Sequence, residues 1–362
     1  MPFFMTQGFG AFNDNVFKNA LAALLVFESS KMAGLNTDQL VNFSAMVFIL
    51  PFFLFSALFG QFADKYEKSM QIRRVKLLEV VIMLLATLGF WLDNVPLLMF
   101  VLFLLGLQST IFGPIKYGIL PRILKREELV GGNALIEMGT FVAILGGTIA
   151  GPQLAGIEAS WPYWASAACL AVAVTGYLFS LRIPPSPAVA PDLEISWNIF
   201  AETVRNMKFI NQNRTVLNSV LGISWFWFFG AIFLVQIPSY TQNVLGGDKH
   251  LMSALLALFI IGISTGSLLC ERLSGKQVEI GLVPFGAIGL TLFGLDLYFA
   301  SPEAPVAGIT VMEFLADGNN WRIVIDLLLI GTFGGFYIVP LYALVQSRSE
   351  QDHLSRVIAG LN

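Results

Sequence analysis

Ten apolar stretches run the length of the chain, near 7–27, 40–63, 76–93, 97–120, 133–156, 161–181, 216–238, 250–270, 280–300 and 322–346. The connections between them sort their positive charges by parity. Sixteen of the 21 Lys and Arg residues fall in even-numbered connections: Lys65, Lys68, Arg73, Arg74 and Lys76; Arg122, Lys125 and Arg126; Arg182, Arg205, Lys208 and Arg214; Arg272 and Lys276; Arg348 and Arg356. Only Lys31 and Lys249 occupy the opposite set. About 20 apolar residues wound as a helix match a bilayer core of ~30 Å. Cationic connections resist translocation, so the N-terminus and the even connections are expected on the cytoplasmic side of a bacterial inner membrane. With 56% hydrophobic and 12% charged residues, the chain leaves little material for a soluble domain.

Several function classes fall away on residue content. No basic patch favours nucleic acid. Cys169 and Cys270 lie in different apolar stretches and read as small packing residues, so neither a disulfide nor a metal site is expected. No cofactor is implied. Gly8-x-Gly10 precedes an apolar span rather than a strand-to-helix turn and is no dinucleotide fingerprint. The first span carries Asn13, Asp14, Asn15 and Lys18 without a basic segment before it, which argues against a cleaved signal peptide. An enzyme is not expected. The two histidines, His250 and His353, are followed four residues later by Ala254 and Val357, so the His–Asp pair of glycerolipid acyltransferases is absent.

The fold class expected is all-α, a polytopic bundle in three parts. Residues 1–182 form a six-helix bundle, 183–214 a cytoplasmic linker and 215–362 a four-span second bundle. The linker opens with Pro184, Pro185, Pro187 and Pro191. It continues with Trp197, Phe200, Val204 and Met207 or Lys208 at helical spacing, opposite Glu202, Arg205 and Asn206, as in a helix lying in the membrane interface. The halves echo one another in parallel order: Phe9-Gly10-Ala11 with Phe229-Gly230-Ala231, Gly60 and Asp64-Lys65 with Gly266 and Glu271-Arg272, Pro114 with Pro340. By that repeat Leu354–Asn362 corresponds to the entrance of span five. A 6+6 protein without its eleventh and twelfth spans is therefore expected.

The connection after span two reads Gly60-Gln61-Phe62-Ala63-Asp64-Lys65-Tyr66-Glu67-Lys68. It resembles the G-x-x-x-D-[RK]-x-x-[RK] signature of the major facilitator superfamily, with Tyr66 where a glycine is usual. Gly60, Asp64, Lys65 and Lys68 are then expected to form a conformational switch, the glycine allowing close helix approach and the carboxylate pairing with basic groups. Gly146-Gly147-Thr148-Ile149-Ala150-Gly151-Pro152, with Gly156 beyond, resembles the glycine–proline motif of exporters in that superfamily.

Two further segments narrow the resemblance. Gln7-Gly8-Phe9-Gly10-Ala11-Phe12-Asn13-Asp14-Asn15 and Phe112-Gly113-Pro114-Ile115-Lys116-Tyr117-Gly118-Ile119-Leu120-Pro121, continuing to Glu137, are similar to the lysophospholipid transporter family, some members of which are fused to an acyltransferase. The resemblance implies inward flipping of lysophosphatidylethanolamine and lysophosphatidylglycerol for reacylation, with membrane lipids and an acyltransferase at the cytoplasmic side as partners. The residues point toward a head-group site by themselves. Asp14, Lys116 and Glu137 are charges within apolar spans, where an ionised group is costly unless paired or functional. A cation and two anions suit a zwitterion, with Asn13, Asn15 and Gln108 completing its hydrogen bonds. A permanent Asp14–Lys116 ion pair is the structural alternative, and Lys18 is a second partner for Asp14. A proton-coupled exporter of amphipathic drugs, with Asp14 or Glu137 carrying the proton, is the alternative function.

Overall fold

The computed structural model describes residues 1–28, 37–155, 161–275, 277–302, 305 and 308–361; Lys31, Gly156, Lys276 and Asn362 lie outside them. The described residues are nearly all helical, and their one extended pairing is a single bridge between Gly247 and Ile309. The elements are α1 (Pro2–Glu28), α2 (Thr37–Lys65), α3 (Lys68–Trp91), α4 (Val95–Gly118), α5 (Leu120–Ile123), α6 (Leu129–Ala155), α7 (Trp161–Ser180), α8 (Ile199–Asn211), α9 (Arg214–Tyr240), α10 (Lys249–Leu273), α11 (Leu282–Ala300), α12 (Val311–Ala316), α13 (Trp321–Arg348) and α14 (Leu354–Ala359).

Among the described residues, eight helices are long and apolar enough to cross a membrane: α2, α4, α6, α7, α9, α10, α11 and α13. Helices α1 and α3 are as long but carry charge along their length: Asp14 and Lys18 in one, Arg73, Arg74, Lys76 and Glu79 in the other. The sequence places span three at 76–93, whereas α3 begins at Lys68. Its three extra cations therefore sit on the helix, because the α2–α3 connection consumes only Tyr66 and Glu67.

Connections are short where capping chemistry is strong. The α3–α4 turn places Asp93 at φ 49°, and Asn94 then caps α4 by accepting from the Leu97 N–H at 2.9 Å, with Pro96 just inside the helix. Gly246, at φ 73°, ends the run after α9, and Asp248 caps α10 through the His250 and Leu251 N–H groups at 3.0 and 2.9 Å.

The chain divides into two compact units. Unit 1 comprises Met1–Ile123, Gly146–Leu217 and Arg348–Asn362; unit 2 comprises Leu124–Leu145 and Asn218–Ser347. This partition cuts across the simple halves read from the sequence, since the first part of α6 belongs with unit 2 and α14 with unit 1. In unit 1 the core is built by Phe17, Leu21, Ile82, Met83, Leu98, Leu105 and Cys169 from α1, α3, α4 and α7.

Each unit contains a seam of very close backbone-to-backbone contact made possible by glycine. In unit 1 a Cβ on Gly106 of α4 would lie 2.1 Å from the Phe48 carbonyl of α2. In unit 2 the seam is reciprocal. Gly262 and Gly266 of α10 face the carbonyls of Leu328 and Thr332, while Gly331 and Gly335 of α13 face Phe259 O and the Ser267 amide, all at 2.0–2.4 Å from an added Cβ. The α2–α4 and α10–α13 seams occupy equivalent places in the repeat. Gly266→Val forces α10 and α13 apart and is expected to destabilise unit 2 by at least the ~1–3 kcal/mol of an overpacked core, measured as a lower thermal midpoint in detergent.

Helix α8 is amphipathic as expected, and the structure shows which side meets the protein. Glu202 and Asn206 are 0% and 1% exposed, whereas Trp197 and Phe200 are 73% and 82% exposed. Arg205 reaches back to Glu202 at 2.8 Å. An apolar face turned outward fits a helix bathed in the lipid interface.

Candidate functional site

A polar network lies inside unit 1, assembled from three helices. Lys76 and Glu79 are one turn apart on α3, both essentially unexposed, and form an ion pair. The Glu79 carboxylate also accepts from Asn13 Nδ2 of α1 at 3.0 Å and from Gln108 Nε2 of α4 at 3.3 Å. Beside it, Ser109 Oγ donates to Asp14 Oδ2 at 2.6 Å. Asp14 Oδ1 and Asn13 Oδ1 accept no hydrogen bond among the described residues.

Small residues make room for the cation. A Cβ on Gly10 would lie 2.6 Å from Lys76 Nζ, and one on Gly176 of α7 would lie 3.1 Å from Lys76 Cε. The phenyl ring of Phe112 stands 5.9 Å from the same ammonium. Lys18, one turn beyond Asp14, rests 4.4 Å over the Phe48 ring, and Asp14 feels charge from Lys18, Lys76 and Glu79. The cluster thus holds two carboxylates and two ammonium groups in a low-dielectric interior, where each interaction is strong and each missing partner costly.

Of the residues expected from sequence, the network contains Asn13, Asp14 and Gln108. Asn15 turns elsewhere, donating to the Ala11 carbonyl at 2.7 Å while its Cβ packs at Gly147 on the α1–α6 seam. Lys116 lies seven residues after Ser109, about 10 Å along α4 on the same face, with its ammonium 4.6 Å over the Tyr117 ring. Glu137 is fully buried on α6 within unit 2. One turn to either side of it, Asn133 and Gln346 exchange hydrogen bonds of 2.6 and 3.1 Å, and Phe141 stacks on Trp227 at 5.7 Å. The aromatic run of α9 accordingly divides, Phe226 being buried while Trp225 and Phe228 are exposed.

The sequence reading missed Lys76, Glu79 and Ser109. Parity of charge groups Lys76 with the connection cations. The available signal is that, over Val75–Trp91, Lys76 and Glu79 are the single basic and single acidic residues and stand at i, i+3.

The second constellation in unit 1 is built on the Gly60–Lys68 segment. Asp64, wholly buried, accepts from the Ser355 N–H at 3.1 Å, the Arg356 N–H at 3.3 Å and Arg356 Nε at 3.1 Å. His353 precedes α14 without capping it by its own side chain, so Asp64 caps this helix from α2, its negative charge at the positive end of the helix dipole. Lys68 Nζ stands 3.9 Å from the same carboxylate and donates to the Ala63 carbonyl at 2.6 Å. Lys65 lies 5.9 Å over the Tyr66 ring.

Close approach is set by glycine here too. Added Cβ atoms on Gly60 and Gly118 would fall 2.8 Å from Ala359 Cβ and 2.6 Å from Ser355 Oγ, and Ser56 Oγ donates to the Ala359 carbonyl at 2.7 Å. The linker straps over this joint, with the Val189 and Ala190 N–H groups on the Asp64 carbonyl at 3.1 and 3.0 Å. Unit 2 brings an acidic residue to a similar place. Glu271 at the end of α10 lies against the start of α6, 2.7 Å from where a Cβ on Gly131 would be.

Two repeated helical units, each closed by an acidic residue against the start of a docked helix, together with buried charges in long apolar helices, define a polytopic membrane carrier. The chain belongs to the Major Facilitator Superfamily, whose family model matches residues 3–362. It is therefore a multi-pass membrane transporter by fold and family. Among curated proteins it is 27% identical over 351 residues to the lysophospholipid transporter LplT of Photorhabdus laumondii, covering 96% of this chain and 79% of the relative. It is 29% identical over 355 residues to that of Enterobacter sp. (strain 638), covering 95% and 79%. Among solved structures, the human organic anion transporter MFSD10 aligns with a TM-score of 0.68 at 12% identity, covering 99% of this chain and 89% of that one. The proton:xylose symporter XylE aligns with a TM-score of 0.67 at 13% identity, covering 99% and 85%. These structural likenesses establish the fold.

Proposed function

We propose that the chain carries lysophospholipids inward across a bacterial inner membrane, with its N-terminus cytoplasmic and the zwitterionic head group bound at the network of α1, α3 and α4. The observation that carries this reading is Asp14. It is a carboxylate on the long helix α1, with one oxygen committed to Ser109 and the other accepting no hydrogen bond among the described residues. An ammonium head group supplies the donors that oxygen lacks. Lys76, beside Asp14, meets the phosphate when Glu79 yields it. Lys116 extends the cationic side further along the same face of α4, and Glu137 is a further buried acidic group, in unit 2. The similarity to lysophospholipid transporters supports the cargo class.

Labelled lysophosphatidylethanolamine uptake by the full-length protein, in a host lacking its own lysolipid uptake, tests the reading. Removing a charge-assisted contact worth ~1.5–3 kcal/mol corresponds to a loss of roughly 10- to 100-fold, expected for Asp14→Asn and, at the lower end, for Lys116→Ala. Unchanged uptake in well-folded Asp14→Asn would remove the head-group assignment. Drug efflux driven by a proton gradient, without lysolipid movement, would replace the cargo.

A further inference from the structure

Unit 2 holds a second charged cluster, at the junction of α11, α13 and the end of α9, that head-group binding leaves unused. Arg322, in the first turn of α13, forks onto Asp296 of α11, its Nε donating to Oδ2 at 2.9 Å and its Nη2 to Oδ1. One turn further along α13, Asp326 is only 2% exposed, and its Oδ2 has no hydrogen-bond partner among the described residues. Its carboxyl faces Asp296 and Arg322, and from α9 it faces Tyr240, whose hydroxyl pairs with Ser301 Oγ at 3.0 Å.

The charge count is unequal. Two carboxylates face one guanidinium, and that guanidinium has already aligned two donors with Asp296. Ionised Asp326 would be a buried anion without its own countercharge in a helix apolar enough to cross a membrane. Asp326 is itself buried, while its neighbours Arg322 and Asp296 are 50% and 38% exposed, so the cluster lies just beneath the surface of unit 2. A proton reaches a carboxyl so placed, and a protonated Asp326 donates to Asp296 while Asp296 keeps Arg322, the arrangement by which two adjacent carboxyls share one proton.

We propose that Asp326, with Asp296 and Arg322, is a proton-binding site of unit 2, so that the carrier's cycle is linked to protonation. The site stands on these three side chains and is independent of the cargo. Loss of the proton leaves a net negative charge between α11 and α13 and weakens the closure of that helix pair; uptake of the proton restores it.

Infrared titration of the purified full-length protein reads the site directly. Wild type is expected to show the carbonyl stretch of a protonated carboxyl group that disappears as pH rises, and Asp326→Asn to lose one carboxyl's worth of that signal. Asp296→Asn is the decisive second variant. It releases Arg322 to pair with Asp326, so the same signal should vanish although Asp326 is still present; a carboxyl with a merely structural role would keep it. Arg322→Gln should shift the titration to higher pH, since both acids then lack a cation. In proteoliposomes, the pH dependence of transport should flatten in Asp326→Asn. Titration curves of the two Asn variants that superimpose on wild type would overturn the proposal, whatever cargo the protein moves.

Discussion

Replacing Glu79 by Ala is expected to destabilise unit 1 by about 3–5 kcal/mol, the usual result of stranding one member of a buried ion pair. Lys76 would keep its place between Gly10 and Gly176 with no carboxylate on its ammonium, and Asn13 Nδ2 and Gln108 Nε2 would lose their acceptor at the same time. The measurement is the unfolding midpoint in detergent. Its complement is the double substitution Glu79→Leu with Lys76→Met. Well-packed apolar residues commonly replace a buried pair at little or no cost in stability, so this variant should recover most of the lost midpoint. It should still fail to transport, because the cation has gone from the neighbourhood of Asp14. A double variant that is both stable and active would reduce the Lys76–Glu79 pair to a strut.

How this network escaped the sequence reading follows from geometry. Parity of charge identified the membrane class because it depends on where cations lie relative to spans, a one-dimensional property. The same one-dimensional view set the start of the third span at its last cation, and so counted Lys76 with the connection rather than with the interior of the helix that buries it. Asp14 was legible as a charge within an apolar span, but its partners come from α3 and α4. Nothing in the spacing of Asp14 and Lys116 says that α4 presents Ser109, rather than Lys116, at the level of Asp14. The Asp296, Arg322 and Asp326 cluster has the same character. Arg322 and Asp326 stand at i, i+4, a signal available in the sequence, while the fork to Asp296 depends on which helix α13 packs against.

The interfacial helix shows a further limit. Periodicity divides α8 into an apolar and a polar face, but that pattern fits a helix resting on a soluble core equally well. Only packing reveals that Glu202 and Asn206 turn inward and Phe200 outward, as a surrounding apolar phase favours. The partition into units has a similar origin. The repeat equates the start of α6 with α14, and the structure gives each of these segments to the unit formed mainly by the other half of the chain, a long-range exchange that local sequence does not encode.

The conformational role of the Gly60–Lys68 segment yields the second large effect. Asp64→Ala removes at once the acceptor of two α14 amides and of the Arg356 guanidinium, leaving Arg356 over the Phe209 ring at 5.1 Å as a cation without its carboxylate. Loss of a helix cap costs about 0.5–2 kcal/mol and loss of one partner of a buried pair about 3–5 kcal/mol; the two share an oxygen and are not additive, so the larger figure bounds the expectation. Asp64→Asn separates the contributions. It retains one oxygen, enough to cap one of the two amides, but loses the second acceptor and the charge that Arg356 and Lys68 share, and should fall between wild type and Ala in stability. The functional consequence follows from where the contact lies. If α14 leaves Asp64 in another conformation of the cycle, weakening this joint shifts the carrier toward that conformation, by at most the energy removed. Cysteine accessibility at Ser355, shielded against Gly118 in this structure, reports the shift. Labelling of Ser355→Cys should be slow in the otherwise wild-type protein and at least tenfold faster with Asp64→Asn, since 1.4 kcal/mol already gives that factor. Equal labelling rates would mean that Asp64 holds the fold together without setting its conformational balance.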